Sequence, residues 1–440
     1  MSRSMLLLAL LGATSALASL PELYGDGARS TAMGGTGVAN ANDGSAAFFN
    51  PAMLAFAKKP VLTLNFASGS SVADVRSLEV GRDVRRGSLD SPVYSGAGVG
   101  AVLPLGGKLQ DTVVLGIDFY TPTAGLLRAR SPTPDDPYLF MHHNMPNRLI
   151  VAASVGVRLA ETVTVGLGAL VLADLDGSGA DVTLDALNRS LSDRSIDSGL
   201  YTKTAIIGGF TYAPSDALTI GFSYRGELDN VNHIPANIHV GNLVTLGMDI
   251  SLRNHWTPHT FTGAVSFRPN PQWELAVDAI YGLWSRAPTP YTSIVVDVSG
   301  DLLDSIGLGA LLDMEAVSPK PRFKDTLSLR VGSEYQTSEN VLVRFGAGWR
   351  PTPVPQQNTL EEESSPTNIL DGNTVSFSGG LGLRFQDPLD LFPKPLQFDL
   401  TAYLSVLLPR EAYKGPEDLN PSYRYSGIAA GGMGTLRYDF

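Results

Sequence analysis

The segment that decides the fold is VLVRFGAGWR, residues 341–350. From Val341 to Trp349 every second residue is apolar, and the residues between them from Arg344 to Arg350 are Arg or Gly. Alternation with a period of two places one set of side chains on each face of a β-strand. In a strand of a membrane barrel, the apolar face meets lipid and the other face lines the lumen.

The same alternation recurs in 217–226 and 396–406, and we predict fourteen strands in all. Most are ten to fourteen residues long, which suits a tilted strand that crosses about 30 Å of hydrocarbon. The predicted strands are 60–68, 96–105, 112–121, 147–158, 162–173, 201–213, 217–228, 257–268, 272–285, 323–336, 340–350, 373–385, 395–407 and 428–440.

The lengths of the connections separate a membrane barrel from a soluble sheet. Alternation alone also fits a soluble sheet with one buried face. Here, connections of a few residues alternate with connections of about twenty to nearly forty residues. Outer-membrane barrels have short periplasmic turns and long extracellular loops. The sequence therefore predicts an all-β, antiparallel, up-and-down transmembrane β-barrel of about 14 strands.

The composition and the first residues indicate an exported protein. Residues 1–18 have the features of a secretory signal peptide: Arg3, a short apolar core and the small-residue sequence Ala16-Leu17-Ala18. The apolar core is too short to span a membrane as a helix. The 440 residues include no Cys, which excludes disulfides and thiolate chemistry, and the net charge of −11 disfavours nucleic acid as a partner. We expect the outer membrane as the location and its lipid as a partner.

Residues 19–59 precede the first predicted strand and do not alternate. They contain the small-residue stretch 30–39, in which Gly34 and Gly35 are adjacent, followed by Asn50-Pro51-Ala52. Asn caps helices well, and Pro at the first helical position loses no needed donor. A nucleotide-binding loop around Gly34 is disfavoured because no strand precedes it and the glycine spacing is incomplete. We predict a compact hatch that packs inside the lumen.

These segments resemble the FadL family of outer-membrane long-chain fatty-acid and hydrocarbon transporters. The hatch sequence from Met33 to Leu54, with its Asn-Pro-Ala motif, carries the first part of the resemblance. Four later stretches agree in order: LTIGFSYRGEL (218–228), WELAVDAIYGLWS (273–285), LRVGSEYQTSENVLVRFGAGWRPTPVP (329–355) and TLRYDF (435–440).

The resemblance implies a barrel at 60–440 that is plugged by a hatch at 19–59. It further implies that extracellular loops capture an apolar ligand and pass it to a lumen pocket. The ligand would then leave through a lateral opening where the third strand kinks inward. In this scheme the hatch gates the path, and its gating residues are Gly34, Gly35, Asn50, Pro51 and Ala52.

Two apolar loop stretches are candidates for ligand binding. Leu184, Leu187 and Leu191 fall on one face if the loop 174–200 forms a helix. Such a helix would offer a landing surface to a ligand, or it would only pack on the rim of the barrel. Ile306 and Leu308 lie in 302–314, the most apolar loop stretch, which needs a ligand or a packing partner if it is exposed.

Arginines on the lumen face are candidates for binding a ligand carboxylate. The alternation places Arg225 and Arg344 there, and a guanidinium can bind a carboxylate with two hydrogen bonds. The alternative is that such arginines pair with lumen acids, among them Glu334 and Asp399.

The pattern of titratable residues predicts no catalytic residues, no metal site and no cofactor. Asp174-x-Asp176-Gly177 lacks the register and the closing Glu of a calcium loop, and no local pattern assembles a Ser-His-acid site. The leading hypothesis is a passive outer-membrane transporter whose partner is a hydrophobic small molecule, first a long-chain fatty acid and otherwise a hydrocarbon. A structural or assembly barrel is the alternative, with a diffusion porin or an outer-membrane enzyme less favoured. The sequence predicts no oligomeric state.

Overall fold

A computed structural model describes most of the chain. It covers residues 24–78, 94–123, 137–139, 149–185, 190–240, 244–289, 293–299, 314–315, 322–355, 369–388, 391–413 and 422–440. The predicted signal peptide, Leu187, Ile306 and Leu308 lie outside these residues.

Fourteen antiparallel strands, here called the wall strands, form a closed barrel. The first and last close the ring through an unbroken register from Val61↔Asp439 to Ser77↔Tyr423. In chain order the wall strands are β1 (Val61–Ser77), β2 (Tyr94–Pro104), β3 (Val113–Pro122), β5 (Ile150–Ala160), β6 (Val163–Asp185), β7 (Ser190–Ser215), β8 (Leu218–Arg225), β11 (Thr260–Asn270), β12 (Trp273–Gly282), β15 (Thr326–Ser338), β16 (Val341–Arg350), β18 (Thr374–Phe385), β19 (Leu396–Ala412) and β20 (Tyr423–Asp439).

Each of the fourteen predicted strands is confirmed, and several extend farther at the end away from the short turns. The predicted helix around Leu184 and Leu191 is wrong, because both residues lie in extended strands and are register partners in the β6–β7 hairpin. Extending an existing ladder adds a hydrogen bond for each pair of residues, whereas a new helix must first be nucleated. Polar residues such as Asp174 end the apolar alternation there without ending the strand.

The remaining strands lie outside the ring, beyond the ends of the wall strands. The hairpin of β9 (Leu228–Val240) and β10 (Val244–Thr257) also pairs with β6 and with β13 (Ser293–Ser299), which pairs with β14 (Met314–Glu315). A parallel pair joins β4 (Tyr138–Leu139) to β17 (Ile369–Leu370). Among the described residues, no helix has the length and apolar character needed to span a membrane.

The two faces of the wall strands differ as the alternation predicts. Large apolar side chains on the outer face are exposed, for example Phe222 at 45%, Phe345 at 65% and Leu400 at 55%. A continuous exposed apolar surface of this kind is unfavourable in water and is what a lipid environment requires. The inner face instead meets residues 24–57.

Residues 24–57, here called the hatch, cross the inside of the barrel. The hatch contains helix α1 (Gly27–Ala32), helix α2 (Ala46–Phe49) and a 3-10 helix (Pro51–Phe56). Helix α1 packs against β16, β18, β19, β20 and β1 on one side, and the 3-10 helix packs against β3, β5, β6 and β7 on the other. The hatch therefore bridges opposite walls of the lumen.

Glycines on the inner face of the wall let the hatch approach closely. A Cβ at Gly346 would overlap the backbone of Met33 and Gly34, and a Cβ at Gly380 would lie 2.7 Å from the Ala32 Cβ. Similar close contacts pair Gly100 with Gly44, Gly116 with Leu54, Gly156 with Pro51 and Ala55, Gly166 with Pro51, Gly221 with Val38, and Gly332 with Met33. These positions explain part of the high glycine content.

We predict that Gly346→Val displaces the hatch, because its side chain would occupy the space of the Met33–Gly34 backbone. Single-channel recordings in planar bilayers should change from near-zero conductance to a steady open level. Gly263→Val is the matched control, since a Cβ there has no neighbour within 4 Å. Closed channels in both variants would contradict the packing of the hatch.

Candidate functional site

A cavity of about 190 Å³ lies between the hatch and the wall strands β8 to β19. A cavity of this volume holds roughly a dozen water molecules. It therefore has room for a monoaromatic molecule or for part of an acyl chain. It lies toward the ends of the wall strands opposite the short turns, the extracellular side. Its lining residues include Tyr24, Val38, Phe48, Phe49, Ser223, Arg225, Thr257, Thr262, Asp278, Ile280, Trp284, Ser328, Arg330, Arg350, Thr374 and Ser376.

Three charged residues of the wall bind hatch backbone at this cavity. Arg225 donates from Nη2 to the Phe48 carbonyl at 2.9 Å, and its guanidinium lies 4.0 Å from the centre of the Phe48 ring. Arg330 donates from Nη1 to the Gly35 carbonyl at 2.8 Å. Asp278 accepts from the backbone N–H of Gly37 at 3.0 Å and of Val38 at 3.3 Å. The three charged side chains that line the cavity therefore also hold the hatch, which forms the floor of the cavity.

An aromatic cluster bounds the outer side of the cavity. Trp284 is 8% exposed and packs edge-on against Trp256, with ring centres 5.5 Å apart, and against Phe323 at 6.5 Å. Ile369 of β17 belongs to the same cluster. Aromatic side chains supply a large apolar surface, so this end of the cavity suits an apolar ligand.

A buried ion pair holds the loop after β17 beside the cavity. Asp371 is fully buried and accepts from both Nη1 and Nη2 of Arg350, at 3.0 Å and 3.2 Å. The Asp371 carbonyl also accepts from Arg410 at 2.6 Å and from the Tyr425 hydroxyl at 2.9 Å. The positive charge of Arg350 is therefore balanced within the protein.

Arg344 lies outside the cavity, in an ionic network that ties the hatch to the wall. It is 1% exposed and pairs with Glu334 at 2.5 Å and Asp399 at 2.6 Å. Arg29, the only basic residue of the hatch, also pairs with Glu334, at 3.0 Å, and with Glu274, at 3.4 Å. Removing one partner from a buried ion pair typically costs about 3–5 kcal/mol. Arg344 thus follows the alternative predicted for lumen arginines, which is pairing with acids.

The predicted hatch residues occupy positions that their residue types suit. Gly34 and Gly35 have φ of +72° and +80°, which other residues seldom adopt. The fully buried Asn50 accepts from the Ala52 N–H at 3.1 Å and donates to the Val38 carbonyl at 2.7 Å, and Pro51 begins the 3-10 helix. Asn50 also donates to Thr211 Oγ1 of β7 at 3.1 Å, which fixes this turn to the wall. Their part in gating stays a prediction.

The structure brings Arg225 to the cavity but leaves the other predicted ligand residues away from it or undescribed. For Leu184 and Leu191 only the backbone is described, and Leu187, Ile306 and Leu308 lie outside the described residues. Sequence reasoning missed Arg29, Glu274 and Asp278. A detectable signal was present, because Glu274 and Asp278 are charged residues on the inner register of WELAVDAIYG, and Arg29 is the only cation of the hatch.

The third wall strand shows no break in its pairing. Within the described residues, β3 keeps a continuous register with β2 from Val114 to Pro122 and with β5 from Val113 to Tyr120. The inward kink implied by the resemblance therefore does not appear as a gap in the ladder. On the lumen side, the carboxyl of Asp118 on β3 faces Asp26 of the hatch, and these residues are 2% and 5% exposed.

Comparisons with known proteins match this geometry. A sequence profile described as outer membrane protein transport protein (OMPP1/FadL/TodX) matches residues 202–391. A FadL homologue from Pseudomonas aeruginosa superposes with a TM-score of 0.59 at 15% identity, covering 92% of this chain and 96% of that one. The toluene transporters TodX of P. putida (TM-score 0.57, 16% identity) and TbuX of Ralstonia pickettii (0.56, 17%) each cover 95% of this chain and 99% of their own. A search of curated proteins found no significant match.

These matches confirm the predicted resemblance to the FadL family. The solved structures share the fold, and the matched profile describes a family of outer-membrane transport proteins. The chain therefore shares the β-barrel fold of these outer-membrane transport proteins.

We predict that the hatch is held more tightly in acid than at neutral pH. Burial raises the pKa of Asp26 to about 6; Asp43 raises it further, while Arg225 and a hydrogen bond from Asp118 oppose the rise. A raised carboxyl pKa favours the docked hatch while Asp26 is protonated, and this contribution is lost as the pH rises through about 6. Channel openings in planar bilayers should be about tenfold rarer at pH 5 than at pH 7.5. Asp26→Asn should weaken this dependence, and an unchanged pH profile in that variant would refute the assignment to Asp26.

Proposed function

We propose that this protein admits hydrophobic molecules passively across the outer membrane, with long-chain fatty acids as the first candidates. The observation that carries the proposal is the cavity, which is open to the outer half of the lumen and is floored by the hatch. A lumen closed by a packed segment cannot serve as a diffusion pore, whereas a bounded site above that segment can bind a ligand and release it.

The residues around the cavity support a ligand with an apolar body and a polar group. Trp284, Phe48, Phe49 and Ile280 supply apolar surface, as in most small-molecule sites. Arg225, Arg330 and Asp278 together carry one net positive charge at the floor. A fatty-acid carboxylate would be attracted to this charge. This attraction favours fatty acids as ligands over plain hydrocarbons such as toluene, the compound named for the transporters TodX and TbuX.

The hatch is the proposed gate because it stands between the cavity and the rest of the lumen. The cavity lies against β8 to β19, while β3 lies across the barrel, with the 3-10 helix packed beside it. A ligand that leaves laterally near β3, as the resemblance implies, must pass residues 46–56. The hatch is the part that would move. We assign a gating role to the residues that set its fold, which are Gly34, Gly35, Asn50, Pro51 and Ala52.

Capture by the extracellular loops remains part of the proposal. The residues proposed to receive the ligand before it enters the cavity are Leu184, Leu187, Leu191, Ile306 and Leu308.

A structural or assembly barrel is the competing function, and mass spectrometry of small molecules extracted from the purified protein separates the two. Recovery of apolar compounds favours transport, whereas lipid-free protein with a tightly held protein partner favours the scaffold.

We predict that Ser328→Trp blocks uptake, because Ser328 lines the cavity and an indole would fill most of it. Uptake of a radiolabelled long-chain fatty acid by cells that depend on this protein should fall at least about tenfold. Leu327→Trp is the matched control, since the neighbouring residue points outward and is already 49% exposed. Equal uptake by the two variants would place transport elsewhere in the barrel.

A further inference from the structure

We propose that the cavity selects hydrophobic molecules that carry a hydroxyl group, and that Asp278 accepts the hydrogen bond from that hydroxyl. The inference rests on the proposed function, because it names the chemistry of the ligand for the same cavity. It adds a polar requirement that neither a hydrocarbon nor a simple ether can meet, and that a long-chain fatty acid meets only when it carries a hydroxyl group or enters as the neutral acid.

The carboxylate of Asp278, a residue that lines the cavity, has one oxygen bound to the hatch and one oxygen without a hydrogen-bond partner among the described residues. Its Oδ2 accepts from the N–H groups of Gly37 and Val38, which fixes the plane of the carboxylate against the hatch. Its Oδ1 is buried and has no hydrogen-bond partner among the described residues, while the residue is 2% exposed and lines the cavity. Asp278 also takes part in no ion pair within the described part of the chain, although Arg330 is its register partner on β15.

A buried carboxylate oxygen is an acceptor only, so its partner must be a donor. Leaving such an oxygen unpaired is costly, and polar groups that are buried without partners are rare in folded proteins. A ligand hydroxyl supplies the missing donor and keeps the rest of the ligand apolar. A hydrocarbon would leave the oxygen unpaired, which makes this cavity a poor hydrocarbon site.

The rest of the cavity wall agrees with a hydroxyl-bearing ligand. Thr262, Ser328, Thr374 and Ser376 add hydroxyl groups to the lining. Thr257 Oγ1, in the outer part of the wall, is also buried without a hydrogen-bond partner in the described structure. A Thr hydroxyl can donate or accept, so it accommodates a polar ligand without discriminating between donors and acceptors. Discrimination therefore depends on Asp278.

The test compares the binding of three ligands of similar shape to the full-length protein in detergent. The probes are 4-ethylphenol, which donates a hydrogen bond, 4-ethylanisole, which only accepts, and ethylbenzene, which does neither. Calorimetric titration at pH 7 should give a Kd for 4-ethylphenol at least about tenfold lower than for the other two, because only the phenol can pair with Asp278 Oδ1.

The variant Asp278→Asn tests the assignment to this residue. Asn keeps one oxygen for the hatch N–H groups and presents an NH₂ donor to the cavity. The preference for 4-ethylphenol should disappear, and 4-ethylanisole should bind at least as well as 4-ethylphenol. Asp216→Asn, at an exposed turn distant from the cavity, is the matched control and should keep the wild-type preference.

The outcomes separate this inference from the proposed function. If the wild-type protein binds all three probes equally, the role of Asp278 is refuted while hydrophobic binding stands. If it binds none of the three and no long-chain fatty acid, the proposed function itself fails. A retained preference for the phenol in Asp278→Asn would also overturn the assignment, whichever residue then accounts for the preference.

Discussion

The fit of the hatch inside the barrel is the constraint on which the rest of the structure depends. A segment packed in a narrow lumen must satisfy its own backbone polar groups and must find room between the wall side chains. The chain meets the second requirement with inner-face glycines such as Gly346 and Gly380. It meets the first with wall side chains, because Asp278 accepts from hatch N–H groups while Arg225 and Arg330 donate to hatch carbonyls.

This arrangement joins ligand binding to the state of the hatch. The same three charged residues that hold the hatch backbone also line the cavity, so a ligand that binds their guanidinium groups competes with the contacts to the hatch. On the other side of the hatch, the Arg29–Glu334–Arg344 network anchors helix α1 independently of the cavity. A ligand would therefore loosen the loop around Gly35–Val38 and the end of α2 at Phe48, while α1 stays in place.

The sequence predicts the wall far better than it predicts the site, for physical reasons. A strand between lipid and lumen must alternate, and so each wall strand leaves a local signature that single-sequence reasoning can read. The β6–β7 hairpin departs from that rule from Asp174 onward, where polar residues interrupt the apolar alternation of the sequence, and the spacing of Leu184 and Leu191 resembles that of a helix. Arg225 was identified as a lumen residue from alternation alone.

Contacts between the hatch and the wall could not be predicted in the same way. Arg29 and Glu334 are 305 positions apart, and no local pattern relates them. Arg344 shows the limit clearly, because alternation places it correctly in the lumen but cannot tell the cavity from the network around helix α1. Asp278 was visible as a charged residue in an apolar strand, yet its partners Gly37 and Val38 depend on how the hatch folds.

The most direct test of this account locks the hatch to the wall. The chain has no Cys, so Leu54→Cys in the 3-10 helix with Gly156→Cys on β5 introduces a single possible disulfide, and the two Cβ positions lie 2.9 Å apart, within about 1 Å of disulfide geometry. Because the hatch must move for a ligand to pass, uptake of a hydrophobic compound should stop in the oxidised double variant and return on reduction. Undiminished uptake with the disulfide fully formed would show that ligands pass a stationary hatch, and would contradict the account.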